Sequence, residues 1–286
     1  MVLHPKLGIM QGRLSPPVNN QIQAFPIDNW QYEFKKCNEM GLGCIEWIYE
    51  YSNEPVNPLF SDDGIIEIGE LSNKWGVRIS SVVADYFMDK RLFGVPEYEI
   101  EVNVEKLNFL ICQCAAANIP IIDLPFVDSS ALRTDEDKEE AVRNLVPLLI
   151  LGEERGIKIC LETSLPPVEF LELIRAFEPY KVYVNYDMGN SASLGYNPDD
   201  EIDRLGKYIK SVHIKDRVLN GDTVPLGKGN TGFDTVFLGL KECGYQGDFI
   251  FQAARRDLTN NKPKEDYVTT LNSYINFIIP YMQGFK

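Results

Sequence analysis

Four polar residues with metal-ligand chemistry follow apolar segments in the second half of the chain. They are Glu162 in ICLETS, Asp187 in VNYDMGN, His213 in SVHIKD and Gln252 in FIFQAAR. Two carboxylates, one imidazole and one amide oxygen form a mixed nitrogen and oxygen set that suits Mn²⁺, Mg²⁺, Co²⁺ or Zn²⁺. Each residue alone is more often a helix cap, a salt-bridge partner or a hydrogen-bonded core residue. Together, however, the residue types predict a divalent-metal site.

The segments that must position these residues are short apolar runs that alternate with longer helical patterns. The runs are nearly continuous and rich in β-branched residues, as is typical of parallel strands that are covered on both faces. We therefore predict eight strands, at residues 7–10, 44–48, 77–84, 119–124, 157–161, 182–186, 209–214 and 249–251.

The helical patterns lie between the predicted strands. The clearest covers residues 99–117, where apolar residues recur at steps of three and four and form one inward face. A second begins at Thr134, with Asp137 as a capping-box partner, and runs towards Glu154. It contains Pro147, where we expect a kink or a late break. Further helices are predicted at about residues 29–40, 62–75, 167–178, 199–207, 233–242 and 265–280.

One polar residue marks the carboxyl end of each predicted strand. Neighbouring members of this series are 25 to 39 residues apart, which leaves room for one strand and one helix at each step, and no linker divides the chain. The sequence therefore predicts a single (β/α)8 TIM barrel over residues 1–286, in which all eight strand ends meet at one mouth. A doubly wound open sheet is the alternative, but no GxGxxG follows the first strand. The series is Gln11, Glu46, Asp85, Asp123, Glu162, Asp187, His213 and Gln252.

Composition and charge narrow the classes of partner. The chain has 286 residues, of which 44% are hydrophobic and 24% charged, so it belongs to the ordinary globular class. Its 28 basic and 42 acidic residues give a net charge of −14, which excludes nucleic acid as an expected partner. The N-terminal segment MVLHPKLGIM lacks a long apolar run, and no stretch of 18 apolar residues occurs. We therefore expect a cytoplasmic protein without a membrane partner.

The sequence resembles the xylose isomerase-like barrels, which include sugar-phosphate isomerases and epimerases, inosose dehydratases and type IV AP endonucleases. The resemblance covers nearly the whole chain and is carried by LGIMQGRLSP, LETS, YDMGN, SVHIKDR and PLGKGNTGFDTVFLGLKECGYQGDFIFQ. It implies a barrel in which a Glu, an Asp, a His and a second Glu bind the divalent ion. Glu162, Asp187 and His213 match the first three positions. It also implies a homodimer or a homotetramer.

Two positions depart from the pattern of this family. Gln252 stands where the second glutamate is usual, and a DxxH element found in many relatives ends here at Asn190. A Gln oxygen can still bind a hard cation, but it carries no charge and cannot abstract a proton. We therefore expect weaker metal binding and no second base at this position.

The chemistry implied by the resemblance is that of a metal-bound sugar. A divalent ion on the carbonyl and an adjacent hydroxyl makes the neighbouring C–H acidic, and one carboxylate can move the proton between two carbons. Glu162 is the candidate base for such an isomerisation. Epimerisation would need a second acid or base, for which Glu46 or Asp85 is a candidate and Lys215 a weaker one. The alternatives are an inosose-dehydratase-like lyase and a degenerate barrel that binds a sugar without turnover.

Several residues near the predicted mouth are candidates for substrate contacts with a sugar or a sugar phosphate. The glycine-rich segment at residues 226–232 follows the seventh strand, where barrels often bind phosphate through backbone N–H groups. An equally good alternative is that this loop only covers the barrel. The substrate-binding candidates are Gln11, Arg13, Asn190, Lys215, Arg217 and Lys228.

Overall fold

The computed structural model describes residues 3–21, 23–255 and 267–285 and contains a closed barrel of eight parallel strands. Each strand pairs with the next one along the chain, and the eighth pairs with the first. The single (β/α)8 TIM barrel predicted from the sequence is therefore confirmed as the fold class. The strands are β1 (His4–Met10), β2 (Leu42–Ile48), β3 (Arg78–Val83), β4 (Ile121–Phe126), β5 (Lys158–Thr163), β6 (Tyr183–Asp187), β7 (Ile209–Ile214) and β8 (Asp248–Phe251).

Helices surround the barrel, and their buried faces join the strands in one apolar core. Eight of them match the predicted helical patterns, whereas the short helices α3 and α7 had no predicted counterpart. In the described part of the chain they are α1 (Trp30–Glu39), α2 (Asp62–Trp75), α3 (Tyr86–Asp89), α4 (Glu97–Ala116), α5 (Asp135–Arg155), α6 (Pro167–Ala176), α7 (Met188–Leu194), α8 (Pro198–Leu205), α9 (Phe233–Glu242) and α10 (Tyr267–Ile278).

Helix α5 begins as the sequence predicts and ends at Arg155, next to the predicted end at Glu154. Thr134 Oγ1 accepts a hydrogen bond from the Asp137 N–H at 3.1 Å, and Asp137 accepts one from the Thr134 N–H at 3.0 Å. The expected break at Pro147 is wrong, because the helix continues through that residue. Buried leucines on both sides of the proline, Leu145 and Leu148, keep the two halves packed against the core.

Two of the polar residues predicted at strand ends lie more than one residue inside their strands. Glu46 precedes the end of β2 by two residues, and Asp123 precedes the end of β4 by three. Strand β4 continues through Pro125, which pairs in register with Glu162, so Asp123 lies two residues deeper in the barrel than Glu162. The predicted strand ends at residue 124, before Pro125, because proline usually interrupts a strand.

Among the helices of the described residues, none is both long enough and apolar enough to cross a membrane.

Candidate active site

Three of the four predicted metal ligands converge at the carboxyl ends of β5, β6 and β7. One ligand atom from each of Glu162, Asp187 and His213 lies within 4.8 Å of the others. His213 Nδ1 is 3.4 Å from Glu162 Oε2 and 3.9 Å from Asp187 Oδ2. Atoms that share an ion at usual bond lengths lie about 3 to 4.5 Å apart, so these three donors fit a divalent cation.

Burial and mutual attraction determine the charges of these groups. Burial alone lowers the pKa of His213, but the carboxylates of Glu46, Asp187 and Glu162 outweigh burial and raise that pKa well above its usual value. Burial raises the pKa of Asp187, but the Lys215 ammonium and His213 outweigh it and hold that pKa well below its usual range. Without metal the site therefore pairs an imidazolium with carboxylates, and an ion must displace a proton to bind His213.

Asp187 is held in place by the helix that follows it. Its Oδ1 atom accepts hydrogen bonds from the N–H groups of Gly189 and Asn190, both at 2.8 Å, at the start of α7. These bonds fix the carboxylate with Oδ2 directed to His213 and Lys215.

Asn185 belongs to the site, although sequence reasoning missed it. Its Nδ2 atom donates to Glu162 Oε2 at 3.0 Å and lies 3.3 Å from each ring nitrogen of His213. It precedes Asp187 by two residues in β6, so both side chains point to the same face of the strand. This alternation was the signal that could have identified it.

Two residues that were predicted to bind the substrate, Asn190 and Arg217, form hydrogen bonds that hold Glu162 in place. Asn190 Nδ2 donates to Glu162 Oε1, and Arg217 Nη1 donates to Asn190 Oδ1 at 2.8 Å. Arg217 also donates from Nε and Nη2 to the Gly221 carbonyl. These contacts fix the orientation of the Glu162 carboxylate.

The fourth predicted ligand, Gln252, is engaged by a lysine. Lys215 Nζ donates to Gln252 Oε1 at 2.9 Å and to Asp187 Oδ2 at 3.1 Å. Gln252 Nε2 donates to Gln23 Oε1 at 3.3 Å, and Gln23 Nε2 donates to Asp85 Oδ2. A chain of hydrogen bonds therefore crosses the mouth from Asp85 to Asp187 through Gln252, the position where the resemblance leads us to expect a glutamate.

Glu46, predicted to be catalytic, lies beneath the three ligands and has no exposed surface. Its Oε2 atom is 2.9 Å from His213 Nε2, and its Oε1 atom accepts from Ser81 Oγ at 2.8 Å. Burial and the Glu46 carboxylate raise the pKa of the adjacent Asp123 well above its usual value. Because the strand continues past Glu46, its carboxylate contacts the far side of the His213 ring and does not reach the open mouth.

The predicted phosphate loop already has an anion within the chain. The carboxylate of Asp216, which is fully buried, accepts hydrogen bonds from the N–H groups of Lys228, Gly229 and Thr231 at 2.9 to 3.0 Å. A Cβ atom at Gly229 would lie 2.3 Å from Asp216 Oδ1, so only glycine allows this approach. The Lys228 side chain is exposed. These backbone N–H groups are therefore bound to Asp216 in this structure, as expected of a loop that covers the barrel, and the contact with a phosphate stays a prediction.

The two remaining substrate candidates join strand ends. Gln11 is 2% exposed, and its Oε1 atom accepts from the Ile48 N–H at 3.0 Å, which connects β1 to β2. Arg13 Nη1 donates to the Ala253 carbonyl at 3.2 Å, which connects the segment after β1 to that after β8. Both therefore shape the rim of the mouth.

Comparison with known proteins identifies the relatives of this barrel. Residues 34–275 match the family described as xylose isomerase-like TIM barrel. An uncharacterized protein, MJ1311, of Methanocaldococcus jannaschii is 28% identical over 145 residues, which are 46% of this chain and 49% of that protein. An inosose dehydratase of Clostridium tetani is 27% identical over 181 residues, 54% of this chain and 59% of the enzyme. The chain thus spans only about half the length of these curated relatives.

Solved structures agree with the fold. The IolI protein with a bound zinc atom has a TM-score of 0.76 at 17% identity, and the match covers 97% of this chain and 99% of that one. D-psicose 3-epimerase from Clostridium cellulolyticum H10, solved with D-tagatose, has a TM-score of 0.76 at 16% identity with the same coverage. At such low identity the likeness concerns the fold alone.

Proposed function

Because the chain belongs to the xylose isomerase-like TIM barrel family, we propose that it is a metal-dependent isomerase or epimerase of a ketose or its phosphate. The observation that carries the proposal is the convergence of Glu162, Asp187 and His213 on one point at the barrel mouth. Relatives and structural neighbours with this barrel include enzymes named as dehydratases and epimerases, which supports an enzyme.

Glu162, Asp187 and His213 are the residues that would hold the divalent ion. When bound, such an ion supplies a Lewis acid that makes the C–H next to a sugar carbonyl acidic. The residues around the ligands restrain them before binding, because Asn185 and Asn190 hold Glu162 and the start of α7 holds Asp187. Such preorganisation lowers the cost of assembling the site.

Glu162 is the proposed base. It is 7% exposed, whereas Asp187 and His213 are 3% and 0% exposed, so its carboxylate is the most accessible of the three to a substrate. The carboxylate takes the proton from the carbon next to the carbonyl and returns it to the former carbonyl carbon, while the hydroxyl proton moves to the former carbonyl oxygen. A ketose thereby becomes an aldose with one base on one face.

Epimerisation requires a second acid or base on the opposite face of the substrate. Gln252 cannot abstract a proton. Asp85 is the better candidate, because burial, together with the carboxylate of Glu162, raises its pKa to about 7. The single base of an isomerisation fits the described residues with fewer assumptions.

Charge at the mouth favours a ketose without a phosphate group. The N–H groups of the glycine-rich loop are bound to Asp216, and Arg217 is bound to Asn190 and Gly221. The backbone N–H groups and the guanidinium expected to hold a phosphate are therefore bound to protein groups, whereas the Lys228 side chain is exposed.

A lyase that removes water from a cyclic polyol ketone is the second candidate. The observation that favours it is the series of relatives named inosose dehydratase, which match 46% to 54% of this chain. Such an enzyme would form an unsaturated product from an inosose, whereas an isomerase would not.

Exchange of deuterium from solvent tests the proposal. The purified protein is incubated with Mn²⁺ and a panel of ketoses and inososes in D₂O, and incorporation next to the carbonyl is followed by NMR. We expect wild type to exchange at least one ketose, and Glu162→Gln to lose the exchange. Glu172→Gln, an exposed change on α6, is the matched control. Equal exchange by Glu162→Gln and wild type would exclude Glu162 as the base, and elimination from an inosose without ketose exchange would favour the lyase.

A further inference from the structure

The ammonium group of Lys215 lies in the predicted metal site. Its Nζ atom is 3.1 Å from Asp187 Oδ2 and 2.9 Å from Gln252 Oε1, which are two of the four predicted ligand atoms. The Lys215 side chain is 15% exposed, so it is held within the mouth and does not extend into solvent. A cation of the protein itself therefore neutralises the Asp187 carboxylate and occupies two oxygen atoms that a divalent ion would otherwise use.

Two neighbours shape the position of Lys215. A Cβ atom at Gly189 would lie 2.7 Å from Lys215 Cγ, so the glycine leaves the space through which the side chain reaches the site. Gln252 presents its oxygen to the ammonium group, which has only donors, and its NH₂ group to Gln23 Oε1. A carboxylate could not donate to Gln23, so the amide is the group that satisfies both neighbours.

We propose that Lys215 is a built-in competitor of the divalent ion, and that Gln252 holds Lys215 and is not a metal ligand. This inference rests on the proposed function, because it assumes that Glu162, Asp187 and His213 bind the ion. An ammonium on Asp187 Oδ2 and a divalent ion on the same oxygen repel each other. The ion therefore binds when Lys215 leaves Asp187 and Gln252, and metal affinity is determined by this exchange.

Metal titration of Lys215 variants tests the competition without any substrate. Calorimetry with Mn²⁺ on Lys215→Met should give an affinity at least roughly tenfold higher than wild type, because the competing charge is gone. Lys215→Arg keeps a cation and is the matched control, with an affinity within about threefold of wild type. Equal or weaker binding by a folded Lys215→Met protein would overturn the proposal.

A second variant separates the two roles of Gln252. If Gln252 were a ligand, Gln252→Ala would weaken Mn²⁺ binding, and that result would overturn the proposal. If Gln252 holds Lys215, the change frees the ammonium and affinity stays the same or increases. Should Lys215→Met fail to fold, because Asp187 loses its partner, Lys215→Gln keeps a hydrogen-bond donor without the charge and should again bind more tightly than wild type.

The outcomes distinguish this inference from the proposed function. If Lys215→Met binds Mn²⁺ more tightly than wild type, the competition by Lys215 is supported. If no ketose exchanges deuterium in the same experiments, the proposed isomerase function is refuted. Exchange by wild type with equal affinities for all variants refutes only the competitor. No Mn²⁺ binding by wild type or any variant refutes both.

Discussion

His213 lies between two groups of carboxylates and has no exposed surface. Its Nε2 atom faces Glu46 at 2.9 Å, and its Nδ1 atom faces Glu162 and Asp187. A carboxylate paired with one ring nitrogen orients the imidazole and leaves the other nitrogen to bind a metal ion when the ring is neutral. Glu46 therefore has a positioning role, since it acts on the ion through the imidazole ring.

Replacing Glu46 tests this role. Glu46→Gln should lower the affinity for Mn²⁺ by roughly 10- to 100-fold, because a neutral amide orients the ring less firmly and makes it less basic. Calorimetry on proteins with matching circular dichroism spectra measures the difference. Ser81→Ala is the control, because it removes only the hydrogen bond to Glu46 Oε1 and should change affinity much less. Unchanged affinity in Glu46→Gln would contradict the assignment.

The sequence was sufficient to place some residues of the site and insufficient for others. Glu162, Asp187 and His213 could be brought together because each has ligand chemistry and ends a strand of one barrel. Asn185 is a neutral amide, and nothing in its residue type predicts a contact with a carboxylate and an imidazole. The contact of Lys215 with Gln252 depends on side-chain direction and on the space left by Gly189, which strand spacing does not encode.

The connection between β7 and α9 is organised around one buried carboxylate. Asp216 accepts three backbone N–H groups, and Thr231 Oγ1 donates to the Lys215 carbonyl at 3.1 Å. The loop therefore folds back on the residues next to Lys215. The sequence of this glycine-rich segment is typical of an anion-binding loop, and the anion that its N–H groups bind is the Asp216 carboxylate of the same chain.

Removing this carboxylate should open the loop. Asp216→Ala leaves three N–H groups without an acceptor, so amide hydrogen exchange at Lys228, Gly229 and Thr231 should accelerate at least tenfold, and the free energy of unfolding should fall by about 2 to 4 kcal/mol. Asp216→Asn retains an oxygen acceptor and should show a smaller change. Exchange rates equal to wild type in Asp216→Ala would mean that the loop holds itself in place.

Strands and long helices were predictable from periodicity, and their ends were less so. Apolar runs identified all eight strands, because parallel strands in a barrel are buried on both faces. Strand β4 extends to Phe126 because backbone pairing with β5 persists through Pro125. The seven residues of α7 are too few for a helical period, and the Asp187 side chain stabilises their N-terminus.

At the scale of the whole molecule, a bound ion would link three consecutive strands. The ligands belong to β5, β6 and β7, so unfolding any of these strands would release the ion. Binding to the native state alone therefore stabilises the entire barrel. The charge state of His213 makes this stabilisation dependent on pH.

Thermal unfolding in Mn²⁺ should show both effects. At 100 times the dissociation constant, the ion should add about 2.7 kcal/mol to the free energy of unfolding.

The charge of His213 should make this stabilisation depend on pH. Carboxylates raise the pKa of His213 in the metal-free protein. The charged histidine therefore stabilises the metal-free protein fully below the usual pKa of histidine, and this contribution is lost as pH rises through the raised pKa. The ion needs the neutral ring, so at fixed Mn²⁺ its effect should increase between pH 6 and 8, by up to about 1.4 kcal/mol per pH unit. In Glu162→Gln, Mn²⁺ should increase the free energy of unfolding by less than in wild type. A shift in melting temperature that is equal at both pH values would mean that His213 is not a ligand.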